Sequence, residues 1–303
     1  MSTADPWAAV VQRVAPEGQL IRRWPLRGGV SASIHALEIG LPGGQTRRVV
    51  VRRHGVADWK PLEADVTATE FALLEALRRA GMAVPAPCFL DVSGEVLPSP
   101  YLVMEFVEGT TAIDEAALPD ALRQMAAYLA RLHALDVGDA ELPSLPQRED
   151  PIAGTLEYLP ETPLAARLRA ALSTEAPLVP TNPPALLHGD FWPENVLWQH
   201  GQIAAVVDWE DAAVGDPLSD LASCRVELFW KHSEQVMETF TAHYLSMATV
   251  DSTNLPLWEL YVSAAAAAYM AHWGLDPEVE AERRRKTSWV LERAGQRVLS
   301  QAV

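Results

Sequence analysis

The chain has 303 residues, 49% hydrophobic and 21% charged, an ordinary globular balance long enough for a large core or two lobes. Its net charge of −16 argues against a nucleic-acid partner, because binding a phosphate backbone takes an excess of Lys and Arg. Two distant cysteines, Cys88 and Cys224, suit a reducing, cytoplasmic setting and give no zinc spacing; no secretory leader is read, and no membrane span either, since the most apolar stretch, Leu255–Gly274, carries Glu259 and a run of Ala.

In chain order, Met1–Pro16 reads as a short helix and Gln19–Trp24, Ser33–Ile39 and Arg47–Arg53 as three strands. They are separated by a small-residue turn over Arg27–Ala32 and by Leu-Pro-Gly-Gly-Gln at 41–45. Strand alternation puts Val50 and Arg52 on one face of the third strand and Val49, Val51 and Arg53 on the other. Pro61–Ala80 has helical spacing, with Glu70 at the edge of its apolar stripe and Gly81 as the stop. Phe89–Val92 and Tyr101–Val107 are two more strands, and the character changes from β to helical at a hinge about 105–110. This divides the chain into lobes 1–107 and 108–303.

The second lobe opens with a helix over Leu118–Leu135 that ends near His133. A Pro-rich, broken stretch over 137–182 holds one helix near Pro163–Leu172. Asn195–Trp198 and Ile203–Asp208 read as a hairpin around Gln199-His-Gly-Gln, which brings Asn195 opposite residues 206–208. The tail is helical over roughly 217–247, 255–273 and 277–300.

The chemistry concentrates in Leu186–Ala222. It contains His188-Gly-Asp190, Asn195 five residues after that Asp, and Asp208 eighteen residues after it. These are hard oxygen donors, which suit Mg²⁺ better than zinc. An Asp that orients a nucleophilic hydroxyl, followed by an Asn and a strand-end Asp that hold metal, is a phosphoryl-transfer pattern. Neither a Walker P-loop nor a Gly-x-Ser-x-Gly elbow occurs.

His-Gly-Asp-Phe-Trp-Pro-Glu-Asn (188–195), Val-Val-Asp-Trp-Glu-Asp-Ala (206–212) and Gly-Asp-Pro-Leu-Ser-Asp-Leu-Ala (215–222) resemble the aminoglycoside phosphotransferase/choline kinase family of the protein-kinase-like fold. Upstream support comes from Gly28-Gly29, from Val-Val-Val-Arg (49–52) in place of Val-Ala-Ile-Lys, from Glu70, and from Tyr101–Gly109. The resemblance runs from about residue 20 to 230 and implies an α+β, two-lobed fold: a small antiparallel sheet with one main helix, then a larger helical lobe. It implies Asp190 as catalytic base, Mg²⁺ on Asn195 and Asp208, and Asp220 bracing the loop. ATP or GTP would lie on Gly28, Gly29, Ser31, Ser33, Val50, Arg52, Glu70 and Met104, with the purine edge at Glu105, Phe106 and Val107. Arg replaces the usual phosphate-binding Lys at position 52, which leaves the Arg52–Glu70 pair open.

Gly189 stands where many protein kinases have Arg, and little chain follows Asp208 for an activation loop, so a small-molecule hydroxyl is expected as acceptor rather than a protein. Residues 101–303 carry a net charge of −17, and seven of ten Trp lie at or beyond 192, which lean toward a cationic acceptor. Trp192, Glu194, Glu210, Asp211, Trp230 and Trp273 are its candidate contacts, in a monomer or homodimer. Two other readings of the same residues stay open: a non-catalytic nucleotide-binding protein of this fold and a metal-dependent phosphoester hydrolase.

Overall fold

The computed structural model describes residues 5–26, 32–54, 66–138, 141–172 and 178–301. The chain forms two compact units, one of Met1–Thr110, Ala140–Ser144 and Ala204–Glu210, the other of Thr111–Asp139, Leu145–Ile203 and Asp211–Val303. The Arg27–Ala32 turn, except for Ala32, and the first five residues of the expected helix at Pro61–Ala80 lie outside the described residues.

In the first unit, Gln19–Pro25 (β1), Ala32–Gly40 (β2), Thr46–His54 (β3), Pro87–Asp91 (β4) and Tyr101–Glu105 (β5) form one antiparallel sheet in the order β1-β2-β3-β5-β4. Helix α1 (Pro6–Val14) is capped by Asp5 and sets Trp7, Val10 and Val11 into a core with Leu37, Ile39, Val49, Val51 and Val103. That burial uses the odd-numbered valines of β3, so Val50 and Arg52 belong to the other face, as alternation requires. The register aligns Trp24, Ala36, Val50 and Met104 as one row across four strands. Helix α2 (Val66–Arg79) buries Leu73, Leu74 and Leu77 and, on the same stripe, Thr67 and Glu70.

The second unit is mainly helical: α3 (Leu118–His133), α4 (Pro151–Tyr158), α5 (Pro163–Ala171), α6 (Leu218–Lys231), α7 (Glu234–Met247), α8 (Leu255–Tyr269) and α9 (Pro277–Gln301). Short strands β6 (Ala185–Leu187) and β9 (Ala213–Gly215) pair antiparallel, and β7 (Val196–Gln199) pairs with β8 (Gln202–Val206). The β7–β8 turn has positive φ at His200 and Gly201, the backbone that a two-residue hairpin turn demands.

Three expectations need correcting. The helix expected over 217–247 is two helices, broken at His232–Ser233. No Gly or Pro marks the break; Ser233 caps α7, and Lys286 Nζ donates to the carbonyls of Phe229, Trp230 and His232 at the end of α6. The broken stretch holds a second helix, α4, started by Asp150 ahead of Pro151. Strand β9 was not expected, because three residues are too few for a periodicity signal.

Candidate active site

Each unit carries its own polar cluster. In the first, Arg52 is only 3% exposed although it is always charged, so its charge must be answered locally. Arg52 Nε lies 3.2 Å from Glu70 Oε2 and 3.1 Å from His54 Nε2. Arg52 Nη2 donates to Asp208 Oδ1 at 2.5 Å and to Glu210 Oε2 at 2.7 Å. The Arg52–Glu70 pair left open by the Lys-to-Arg replacement is therefore formed. His54 Nε2 is also 2.8 Å from Glu70 Oε2, and His54 Nδ1 is 2.9 Å from Thr67 Oγ1 on α2.

The charges shift one another. Burial alone would raise the Glu70 carboxyl, but Arg52 and the contact with His54 hold it below the ordinary range. At Asp208 burial, reinforced by Glu210 and Glu70, outweighs Arg52 and lifts the carboxyl above that range. Asp208 has φ 70°, a left-handed conformation that few residues besides Gly, Asn and Asp adopt.

Val50 and Met104 are cross-strand partners in the row that also holds Trp24. The Trp24 and Phe106 rings are 6.1 Å apart, and Arg48 lies 5.1 Å over Phe106. Of the three hinge residues, Glu105 donates its N–H to Ala86 O at 2.8 Å and Phe106 donates to Arg48 O at 3.4 Å. Among the described residues Val107 N–H has no such partner, so it is the hinge donor left over. Ser33 lies on β2 with Oγ 3.4 Å from His35 Nδ1, while Gly28, Gly29 and Ser31 lie outside the described residues.

In the second unit, β6 leads into the loop 188–195. Asp220, fully buried on α6, accepts from His188 N–H at 2.7 Å and Gly189 N–H at 2.9 Å. His133 Nε2 lies 3.3 Å from the same carboxylate and His133 Nδ1 2.7 Å from Tyr244 OH. Burial alone would raise Asp220; hydrogen bonds from His133 and the His188 main chain hold it low. Asp190 N–H donates to His188 Nδ1 at 3.2 Å, and Asn195 Nδ2 donates to Asp190 O at 2.8 Å and Oδ2 at 3.0 Å. Both bonds use the Asn195 amide NH₂, which leaves its carbonyl oxygen, the atom a hard cation takes, uncommitted among the described residues. Gly189 has φ 85°, and a Cβ there would come within 1.9 Å of Asp211 O. The Arg that many protein kinases carry at this place has no room here.

The phosphotransferase enzyme family matches residues 26–261, well over half of the chain. This chain belongs to that family. Viomycin phosphotransferase of Streptomyces vinaceus is 31% identical over 209 residues, covering 59% of this chain and 70% of that protein. Acyl-CoA dehydrogenase family member 10 of Mus musculus is 28% identical over 196 residues, covering 59% of this chain. The chain spans only 18% of the length of that relative. A solved structure of the amicoumacin kinase hAmiN in complex with AMP-PNP, Ca²⁺ and Ami superposes with a TM-score of 0.64 at 12% identity, covering 96% of this chain and 94% of that one. The fold is accordingly kinase-like, with an antiparallel sheet in one region and helices in the other.

The expected acceptor contacts divide. Glu210 is turned to Arg52 rather than left free for an acceptor. Glu194 pairs with Lys231 at 3.1 Å, and Asp211 is exposed. Trp230 is buried, with Arg283 5.2 Å over its ring and Trp273 5.9 Å away. The indole N–H groups of Trp192 and Trp230 are buried without a partner among the described residues. Sequence reasoning passed over Glu227 on α6, whose carboxyl is pushed up to about 8 by burial and by Asp190 and Glu194, against Arg283 and Lys231. It also passed over Trp24, whose row only the strand register reveals, and His54, which strand alternation places on the face of Arg52. No described helix is long and apolar enough to cross a membrane.

Proposed function

We propose that this chain transfers the γ-phosphoryl group of ATP or GTP to a hydroxyl of a small molecule. The observation that carries the reading is the loop 188–195, in which Asp190 is held by Asn195 and its backbone by His188, with Asp220 bracing the loop from α6. Rigid placement matters because phosphoryl transfer gains its rate from positioning and charge stabilisation.

Asp190 is assigned the acceptor hydroxyl: it orients the oxygen and takes its proton. Asn195 and Asp208 would hold Mg²⁺, and the uncommitted amide carbonyl of Asn195 fits that role. When bound, the ion would neutralise charge on the phosphates. Arg52 is assigned the phosphates, with Glu70 fixing its head. Gly28, Gly29, Ser31 and Ser33 would cover the phosphates, and Trp24, Val50 and Met104 would face the purine, whose edge Val107 N–H would bind. A cytoplasmic site of action fits the two free thiols of Cys88 and Cys224.

The acceptor is assigned to the second unit, near Glu194, Trp192, Trp230 and Glu227, with a preference for cations. Viomycin phosphotransferase supports a small polar acceptor by analogy. The test is nucleotide turnover stimulated by a panel of hydroxyl-bearing small molecules, cationic ones first, in wild type and Asp190→Asn. Loss of a general base costs about 10²–10⁴-fold. Full turnover by Asp190→Asn with intact folding would remove the role given to this residue.

A further inference from the structure

We propose that His54 is a positioning residue for Arg52, required because Arg stands where this fold ordinarily has Lys. The inference rests on the reading of Arg52 as the phosphate-binding cation.

An ammonium rotates freely and one carboxylate can hold it. A guanidinium is a planar fork with five N–H donors, and what matters is which edge faces the ligand. In Arg52 the donors divide cleanly. Nε–H faces Glu70 Oε2 at 3.2 Å, with His54 Nε2 3.1 Å away, and Nη2 serves Asp208 at 2.5 Å and Glu210 at 2.7 Å. Nη1 has no hydrogen-bond partner among the described residues, so two donors remain for phosphate oxygens. Without His54, nothing holds Glu70 Oε2 at the Nε edge, and the carboxylate and the guanidinium plane are free to turn together and spend Nη1 on Glu70.

His54 is built to prevent that. It is 3% exposed, two residues after Arg52 on the same strand face. Its ring is held at both nitrogens: Nδ1 lies 2.9 Å from Thr67 Oγ1, and Nε2 lies 2.8 Å from Glu70 Oε2, the oxygen that faces Arg52 Nε at 3.2 Å. Thr67 and Glu70 are three apart on α2 and so share one helix face. The helix therefore fixes the ring, the ring fixes the Glu70 carboxylate, and the carboxylate fixes the plane of the guanidinium.

The test uses two ligands that share the nucleoside and differ in the phosphates: Mg·AMP-PNP, whose phosphates reach Arg52, and adenosine, which has none. Calorimetric Kd values are measured for wild type, Arg52→Gln, His54→Ala, His54→Gln and Thr67→Val. His54→Ala is expected to weaken AMP-PNP about tenfold, the scale of a hydrogen bond to a charged group, with adenosine unchanged. Thr67→Val should fall between it and wild type. His54→Gln, whose amide reaches the Nε2 position, should recover most of the loss. Unchanged adenosine affinity reports an intact first unit in every variant. If Arg52→Gln weakens AMP-PNP but His54→Ala does not, the inference fails and the reading of Arg52 stands. An equal loss of both ligands in His54→Ala, or no rescue by Gln, overturns it in favour of a purely structural histidine. If Arg52→Gln itself leaves AMP-PNP unchanged, the phosphate role of Arg52 fails first and the inference with it.

Discussion

Arg52 Nη2 lies 2.5 Å from Asp208 Oδ1, so a cation of the protein touches the carboxylate proposed to hold a metal. The same nitrogen is 2.7 Å from Glu210 Oε2, and Glu70 stands at the Nε edge, so three carboxylates converge on one guanidinium.

Removing that guanidinium leaves the acids buried against one another. Arg52→Gln is expected to cost about 3 kcal/mol of folding stability at pH 7, the scale of breaking a buried ion pair from one side. Arg52 holds the folded Glu70 carboxyl below its ordinary value of 4.5, so its stabilising contribution is complete above that value and disappears as pH falls through the lower folded value. The gap between wild type and variant should therefore narrow on acidification. Urea unfolding at pH 7 and pH 4 checks both parts; a gap that widens toward acid would contradict the ion-pair account.

Asp220 is the support under the proposed catalytic loop. Replacing it by Asn turns one accepting oxygen into an NH₂ group that faces either His188 N–H or Gly189 N–H. A buried donor left unsatisfied costs about 1–3 kcal/mol. We expect Asp220→Asn to lower both the unfolding temperature and kcat, with AMP-PNP affinity held close to wild type. Unchanged kcat would show that the loop keeps its shape without the brace.

The legible parts were those written in local pattern. Alternation along Val49–Arg53 put Arg52 on the face where it is found, and Gln199-His-Gly-Gln announced the hairpin turn. The loop from His188 to Asn195 was recognisable as a motif. What stayed hidden depends on tertiary meetings. His54 reads as one more polar residue at a strand end until α2 places Thr67 and Glu70 against it. Glu210 looked available for an acceptor because nothing in Asp-Trp-Glu says which way the third residue turns. The α6–α7 break was missed because a serine cap is a far weaker signal than Gly or Pro.

Among the described glycines, Gly189 is the one whose added Cβ would meet the nearest atom. Its φ is 85°, and a Cβ would sit 1.9 Å from the main-chain oxygen of Asp211, which cannot swing aside as a side chain could. Gly189→Ala should therefore destabilise by more than about 1 kcal/mol, the scale of Ala forced to positive φ before any clash. It should also displace Asp190, the next residue, so that kcat falls further than stability alone explains. Thermal unfolding together with turnover measured well below the melting temperature separates the two. Turnover at the wild-type level in a folded variant would mean that the loop absorbs the change.

Glu227 offers a pH handle on the acceptor side. Its folded carboxyl is pushed up to about 8, so between its ordinary 4.5 and that value the folded chain holds a proton that the unfolded chain releases. Stability must therefore decline as pH rises through that window. Glu227→Gln removes the titration while keeping the neutral shape. The variant should match wild type at pH 5 and be the more stable of the two at pH 9, read from unfolding midpoints at both pH values. The same proton bears on the acceptor. Ionised Glu227 would add a negative charge beside Asp190 and Glu194, so KM for a cationic acceptor should fall as pH rises toward 8 in wild type and stay flat in Glu227→Gln, provided the acceptor itself keeps its charge. A wild-type KM that is equally flat would separate Glu227 from acceptor binding and leave it as a half-buried acid of α6.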